Sequence, residues 1–439
     1  MLSNDKNAVS ASKHLSPDQL RIGVYVYVDL PWFLHPFTLN SFRISSEAQL
    51  AELRALKLER FRYDPERSDA APAETGIAAS TDSDVPAAEI EPKSAARRDP
   101  AATEREERVR HLREHRLAVA QTEKAFVKAA GVMRRFSRNL RLHPQEALAE
   151  MHGLVDQMAG VFLERTDVSL HVMGENCGGE EAYFHGLNVS ILSLMLAKQL
   201  DLGAEQARSL GTGALLHDIG QIEIPDQVLR KSPCEYTLQE CALRASHVEL
   251  GVKIGKQLEL APEVLAIIAQ HHELADGSGY PRELRLDEIA PLARVVSLVN
   301  YYDNLCNPAV LAQALTPHEA LSFIFARCRS KFENRILQLL IRSLGVYPPG
   351  SVVKLSNGAI AMVISVNPMK PLRPWLLLYQ VGVPKHEASM LDLEQETRVS
   401  IAKSLRPALL PPAVYAYLSP RKRITYFFGS EPSIAGERA

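Results

Sequence analysis

The sequence predicts a multidomain, mainly α protein: an all-helical bundle core with a small N-terminal α+β unit before it and a small C-terminal β extension after it. Three observations lead there. At 439 residues the chain exceeds the length of about 250–300 residues at which a single hydrophobic core stops growing. From about 144 to 345, apolar residues recur at helical spacing, as in the stripe Phe184, Leu187, Ile191 and Leu194, and strand-like runs are nearly absent. Towards either end the period changes to two, in RIGVYVYVDL and in SVVKLSNGAIAMVISVNP.

The elements follow in order. Residues 1–65 hold alternating strands and then a short helix in FRISSEAQLAELRALKL. Residues 66–103 are rich in Ala, Pro, Ser, Thr, Asp and Glu with almost no large apolar side chain, which predicts a disordered linker. Residues 104–143, beginning TEREERVRHLREHR, predict one long charged helix, suited to packing against its equal in a homodimer. Residues 144–345 form the helical core. Residues 346–439 begin with Pro348-Pro349-Gly350 and predict β-strands around the turn Ser356-Asn357-Gly358. The basic stretch PRKRITYFF near the end reads as a solvated strand flank more readily than as a phosphate contact.

Composition excludes several classes. Fifty Lys and Arg nearly balance 52 Asp and Glu, so there is no broad basic face for polymeric nucleic acid or an anionic membrane. The five cysteines, Cys177, Cys234, Cys241, Cys306 and Cys328, are scattered and form no C-x-x-C pair, which fits a reducing compartment and excludes a thiolate zinc site. The N-terminus has no apolar h-region, and the longest apolar run, LNVSILSLMLAKQL, is too short and too interrupted to span a bilayer. A cytoplasmic protein without membrane insertion is expected.

The chemistry lies in grouped histidines and carboxylates. In EAYFH, Glu181 and His185 are four apart and share a helical face. In LLHDIGQIEIPD, an apolar helical stretch ends at His217-Asp218, with Gly220 placed to close the helix in a left-handed conformation. A carboxylate at that end has two oxygens with which to bridge two cations. His247 follows on a helical pattern, and in HHELADGSGYP a helix carrying His271 and His272 runs into a glycine turn. Any one of these histidines alone is more often a core or surface residue, and Glu181 or Asp276 alone can be a cap or turn carboxylate. Five imidazoles and two carboxylates together make a nitrogen and oxygen set suited to iron, manganese or zinc. Two such cations a few ångströms apart activate water at neutral pH and clamp a phosphodiester. That chemistry is hydrolysis.

The segments HDIGQIEIPD, HVELG and HHELADGSGYP, in this order, resemble the HD-GYP domain, a bacterial branch of the HD phosphohydrolases, over roughly residues 144–340. The residues before it resemble the domain of unknown function that precedes HD-GYP in one subgroup. The resemblance implies an HD-type helical bundle with two or three divalent ions, iron or manganese, that hydrolyses cyclic di-GMP, or a related cyclic dinucleotide, to pGpG or GMP. It implies Glu181, His185, His217, Asp218, His247, His271, His272 and the residue at Asn300 as ligand positions, with Asp218 as the bridge and His217 and Asp218 as the catalytic pair. Asp276, Gly277, Gly279, Tyr280 and Pro281 would form the motif turn, which in the family has been linked to contacts with diguanylate cyclases.

Departures from the family pattern imply weakened activity. Gln221 stands where the family has a phosphate-binding lysine, and Ala309 and Ala312 stand where it has further cations. VNYYDNL puts neutral Asn300 at the place of a metal-binding aspartate and keeps Asp303 as the second acid, assigned with Gln221 to the substrate side. Arg282 or Arg285, after the turn, could restore a missing charge. The alternative is a catalytically degenerate module that keeps metal and senses a cyclic dinucleotide or docks signalling partners.

Overall fold

The computed structural model describes residues 13–28, 41–69 without 57, 59 and 66, 100–164, 168–172, 181–229, 231, 235–366, 373–419 without 386, 387, 395 and 397, and 424–430. Most of the linker expected over 66–103 lies outside these residues. The chain divides into two compact units, Met1–Thr103 and Glu104–Ala439.

The first unit is a four-stranded antiparallel sheet beside one helix. Its strands are β1 (Lys13–Leu15), β2 (Tyr25–Tyr27), β3 (Ser41–Arg43) and β4 (Phe61–Asp64), in the order β1-β4-β2-β3. Helix α1 (Glu47–Ala55) begins at Ser46, whose side chain accepts from Gln49 N, while Gln49 reaches back to Ser45 N. Its Leu50 and Leu53 pack with Val24, Val26, Ile44 and Phe61, so alternate residues of the strands supply the core. On β2 the neighbours of Val26 are Tyr25 and Tyr27, and Arg67 and Arg62 stack over their rings.

The second unit opens with α2 (Pro100–Asn139) and α3 (Pro144–Glu164). The long helix starts four residues before the predicted 104 and stops at Asn139. A proline suits a first helical turn, and Pro144 disfavours helical backbone at the residue before it. The bundle continues with α4 (Glu181–Ala197), α5 (Ala204–Leu216), α6 (Asp226–Leu229), α7 (Leu238–Ala245), α8 (His247–Gln257), α9 (Pro262–Gln270), α10 (Pro291–Cys306), α11 (Pro317–Arg327) and α12 (Asn334–Leu344). Helix α4 is its axis: consecutive residues from Leu187 to Ala197 are buried, with α3, α5, α10 and α12 around them.

The helical core contains a strand the periodicity did not predict. Strand β5 (Val168–Val172) pairs antiparallel with the last of the described strands, β11 (Tyr426–Ser430). The predicted solvated flank is therefore corrected from Ile424 onward, where Tyr426, Phe427 and Phe428 are wholly buried. Phe427 meets Phe126 at 5.6 Å, Phe428 meets Phe162 at 4.8 Å, and the Tyr426 hydroxyl bonds that of Tyr302 at 3.0 Å.

Between core and final strand lies a five-stranded antiparallel sheet in the order β10-β6-β7-β8-β9. Its strands are β6 (Val352–Leu355), β7 (Ile360–Ser365), β8 (Trp375–Leu378), β9 (Met390–Asp392) and β10 (Ile401–Leu405). The expected turn joins β6 to β7, with Gly358 at φ 87° and its N–H donating to Leu355 O. Helix α13 (Pro412–Leu418) places Val414 and Leu418 against this sheet.

Candidate metal centre

Three helix ends converge on one point. His217 is the residue at which α5 ends, His271 is the residue at which α9 ends, and His247 opens α8 directly after α7. The last carbonyls of a helix have no intrahelical donor and carry the negative end of its dipole. Each of the three imidazoles uses one of them: His217 Nδ1 donates to Ala214 O at 2.7 Å, His247 Nδ1 to Arg244 O at 2.6 Å, and His271 Nδ1 to Ile268 O at 2.8 Å. These bonds place the proton on Nδ1 and turn the Nε2 lone pair inward, the form in which histidine binds a metal. His185, in the second turn of α4, is fixed the same way by a carboxylate, with Nδ1 2.7 Å from Asp303 Oδ2.

Asp218 joins these rings. Its Oδ1 lies 3.1 Å from His247 Nε2 and 3.5 Å from His271 Nε2, and its Oδ2 lies 3.5 Å from His217 Nε2 and 3.7 Å from His185 Nε2. Two ligand groups result, Asp218 with His247, His271 and His272, and Asp218 with His185 and His217, with the ligand atoms of each group within 4.8 Å of one another.

The expected left-handed turn at Gly220 is not what the structure shows. Gly220 sits in a short 3-10 turn, Ile219–Glu223, and a Cβ there would lie 1.9 Å from His247 O and 2.5 Å from Gly251 N. The glycine lets the segment after Asp218 press directly on α8.

The donor set fits cations on physical grounds. His185 and His217 bring their Nε2 atoms within 3.1 Å, and His247 and His271 bring theirs within 3.2 Å, although each Nδ1 already holds the proton. Facing lone pairs repel unless positive charge lies between them. Asp218 Oδ1 is buried and accepts no hydrogen bond, a placement that is costly for a carboxylate without a cation. Burial pushes the His217 imidazole down to about 3, and burial with the His271 charge drives His272 well below its ordinary value. Burial opposes ionisation of Asp218, but the surrounding imidazoles, His217 foremost and then His247 and His271, outweigh it and hold the carboxyl well below its usual range. On His185 burial opposes charge, and the Asp303 hydrogen bond and charge outweigh it, raising the imidazole.

The remaining predicted residues fall into three places. Glu181 is the first residue of α4, one turn before His185, and its side chain lies outside the described residues. Asn300 is buried on α10 within hydrogen-bond reach of His185, and its Oδ1 already accepts from Asn304 Nδ2 at 2.7 Å. Asp303 is corrected: expected on the substrate side, it is 1% exposed behind His185, where its Oδ1 accepts from Asn188 Nδ2 at 2.5 Å and Asn307 Nδ2 at 2.9 Å. Gln221 is half-buried in the 3-10 turn, and Ala309 and Ala312 are exposed.

The motif turn is a built loop. Asp276 Oδ1 accepts from Ser278 N and Oγ, and Gly277 has φ 80°. At Gly279 a Cβ would lie 2.4 Å from Leu274 N and 2.5 Å from His272 O. That close approach lets Tyr280 N donate to His272 O and the Tyr280 ring stack on His272 at 4.5 Å, before the cis peptide to Pro281.

Sequence reasoning missed the residues that brace this centre. Glu273, 1% exposed, is no ligand: it accepts from Arg282 N at 2.7 Å and Leu284 N at 2.9 Å and so anchors the loop after Pro281. Asn188 and Asn307 bind both Asp303 and the backbone around Ile424, tying His185's partner to the end of the chain. Their spacing was the available signal: Asn188 is one turn after His185 and Asn307 one turn after Asp303.

Three family models match the chain in succession. Residues 165–336 match the model of the HD domain, residues 12–151 that of a domain of unknown function (DUF3391), and residues 352–410 that of a KOW domain associated with HD domain. The cyclic di-GMP phosphodiesterase PA4108 of Pseudomonas aeruginosa is 27% identical over 88% of this chain and 91% of its own length. The cyclic di-GMP phosphodiesterase response regulator RpfG of Xanthomonas campestris is 33% identical over 38% of this chain, which spans 43% of that protein. A solved structure from Bdellovibrio bacteriovorus, Bd1817, an HDG"Y"P protein, is 17% identical with a TM-score of 0.41, covering 75% of this chain and 97% of that one. Along the chain, the match to the HD domain over residues 165–336, which contains the whole histidine and aspartate cluster, thus lies between the matches to DUF3391 and to the KOW domain associated with HD domain.

Proposed function

We propose that this chain is a metal-dependent phosphodiesterase that hydrolyses cyclic di-GMP to pGpG and GMP in bacterial second-messenger signalling. The observation that carries the reading is Asp218, a buried carboxylate with one oxygen towards each of two imidazole groups. Two or three divalent ions, iron or manganese, suit its nitrogen and oxygen donors. When bound, such ions supply the acidity that makes water a nucleophile at neutral pH and the positive charge that offsets the phosphodiester.

The protein's own residues do the rest. Asp218, His185, His217, His247, His271 and His272 hold the donor set, and the helix-end carbonyls and Asp303 keep the rings in one tautomer. Tyr280, stacked on His272, holds that ring in place. The replacements at Gln221 and Asn300 weaken the activity. Each lost charge-assisted contact to phosphate lowers binding or rate by roughly ten- to a hundredfold. The place of action is the cytoplasm; among the described residues no helix is long and apolar enough to cross a membrane.

The neutral Asn300, engaged with Asn304, favours a second reading: a module that holds metal and senses a cyclic dinucleotide or docks a diguanylate cyclase. Turnover of cyclic di-GMP by anaerobically purified, iron- or manganese-loaded protein decides between them, run beside a His217→Ala/Asp218→Ala control. The proposal expects pGpG and GMP from the wild type alone. Equal turnover by the control would overturn it, and a fully metal-loaded wild type without turnover would establish the second reading.

A further inference from the structure

With no cation at 221, 309 or 312, the phosphate of a nucleotide must find its charge elsewhere. Arg282 and Arg285 are both exposed, and the Arg285 side chain runs along the turn at Gly277, its Cγ 3.6 Å from where a Cβ would stand. Helix α7 offers a different arginine. None of its residues is fully buried, and its last turn is half-buried against its surroundings. That turn holds Arg244, whose carbonyl accepts the His247 Nδ1–H bond at 2.6 Å, placing the residue directly against the centre.

The Arg244 side chain is braced and uncommitted. Its Nη1 donates to the Tyr236 hydroxyl at 2.8 Å, and the guanidinium carbon lies 5.7 Å from the Tyr236 ring centroid. Among the described residues no carboxylate pairs with it, whereas its neighbour Lys231 is held by Glu240. A fork of donors, one of them fixed by a tyrosine, matches the geometry of a phosphate oxygen pair.

We propose that Arg244, braced by Tyr236, is the residue with which this chain grips the phosphodiester of its nucleotide beside His247. The inference rests on the nucleotide-hydrolase reading above and gives it the cation that Gln221 lacks. Tyr236 acts through Arg244 as a positioning residue.

The test is binding by the full-length, metal-loaded chain, measured by calorimetry with cyclic di-GMP and with inorganic phosphate as probes. Arg244→Gln is expected to weaken both by roughly ten- to a hundredfold, with metal content and thermal stability unchanged. Arg244→Lys should recover part of the loss, because it keeps the charge without the fork, and Tyr236→Phe should cost less than Arg244→Gln. Unchanged affinity for both probes in Arg244→Gln would overturn the assignment while leaving the hydrolase reading intact. Loss of metal in that variant would also overturn it, since Arg244 would then serve only the fold around His247. A wild type that binds phosphate through Arg244 but not cyclic di-GMP would keep the assignment and defeat the cyclic di-GMP reading.

Discussion

At the scale of single residues, the centre depends on second partners as much as on its ligands. Asp303 never reaches open space, yet it sets the tautomer of His185 and is itself held by Asn188 and Asn307. Carboxylates behind metal-binding imidazoles orient the ring and raise its basicity. Asp303→Asn is therefore expected to lower metal affinity by roughly ten- to a hundredfold, read by competition with a chelator, while the unit stays folded. An affinity equal to that of the wild type would mean that His185 needs no such partner. The clustered histidines and Asp218 were legible in the sequence because each sits at a helix end or at helical spacing beside a second donor. Asn188, Asn307 and Glu273 were not, because what they bind is backbone elsewhere: Ile424 is 236 residues from Asn188, and the targets of Glu273 are N–H groups of its own loop.

At the scale of elements, the centre is an arrangement of helix ends. Helices α5, α7 and α9 each give a terminal carbonyl to an imidazole, and the 3-10 turn after Asp218 presses on α8 at Gly220. One added methyl at Gly220 would meet His247 O, and the neighbour is backbone that cannot swing aside. Gly220→Ala is expected to cost about 3 kcal/mol of stability or more, and to separate Asp218 from His247 so that metal is lost. Denaturant unfolding and metal analysis read both effects; a variant with wild-type stability and metal content would refute this account of the contact. In the sequence the same glycine, two residues past a helical stretch, had an equally good reading as a left-handed cap, and only the proximity of α8 decides. Strand β5 was hidden for a related reason. It is five residues long, and its partner β11 lies some 250 residues further on, at the far side of a separate five-stranded sheet. Local period cannot report a pairing of that range.

At the scale of the whole molecule, the fold class predicted from periodicity holds: a helical core, a small sheet-and-helix unit before it, and a sheet after it. Residues 424–430 are the exception, since they follow the second sheet in sequence and pack on the helical core as β11, where Tyr426 meets Tyr302 and the Ile424 backbone meets Asn188 and Asn307. The core and its centre are thus closed by residues from both ends of the second unit. The claim on which the account turns is that Asp218 makes two imidazole groups into one multinuclear site. Metal content per chain tests it most directly, measured after anaerobic reconstitution with iron or manganese in the wild type and in Asp218→Ala. The account expects at least two ions per chain in the wild type and at most one in the variant; equal metal content in the two proteins, or a wild type that holds none, would contradict it.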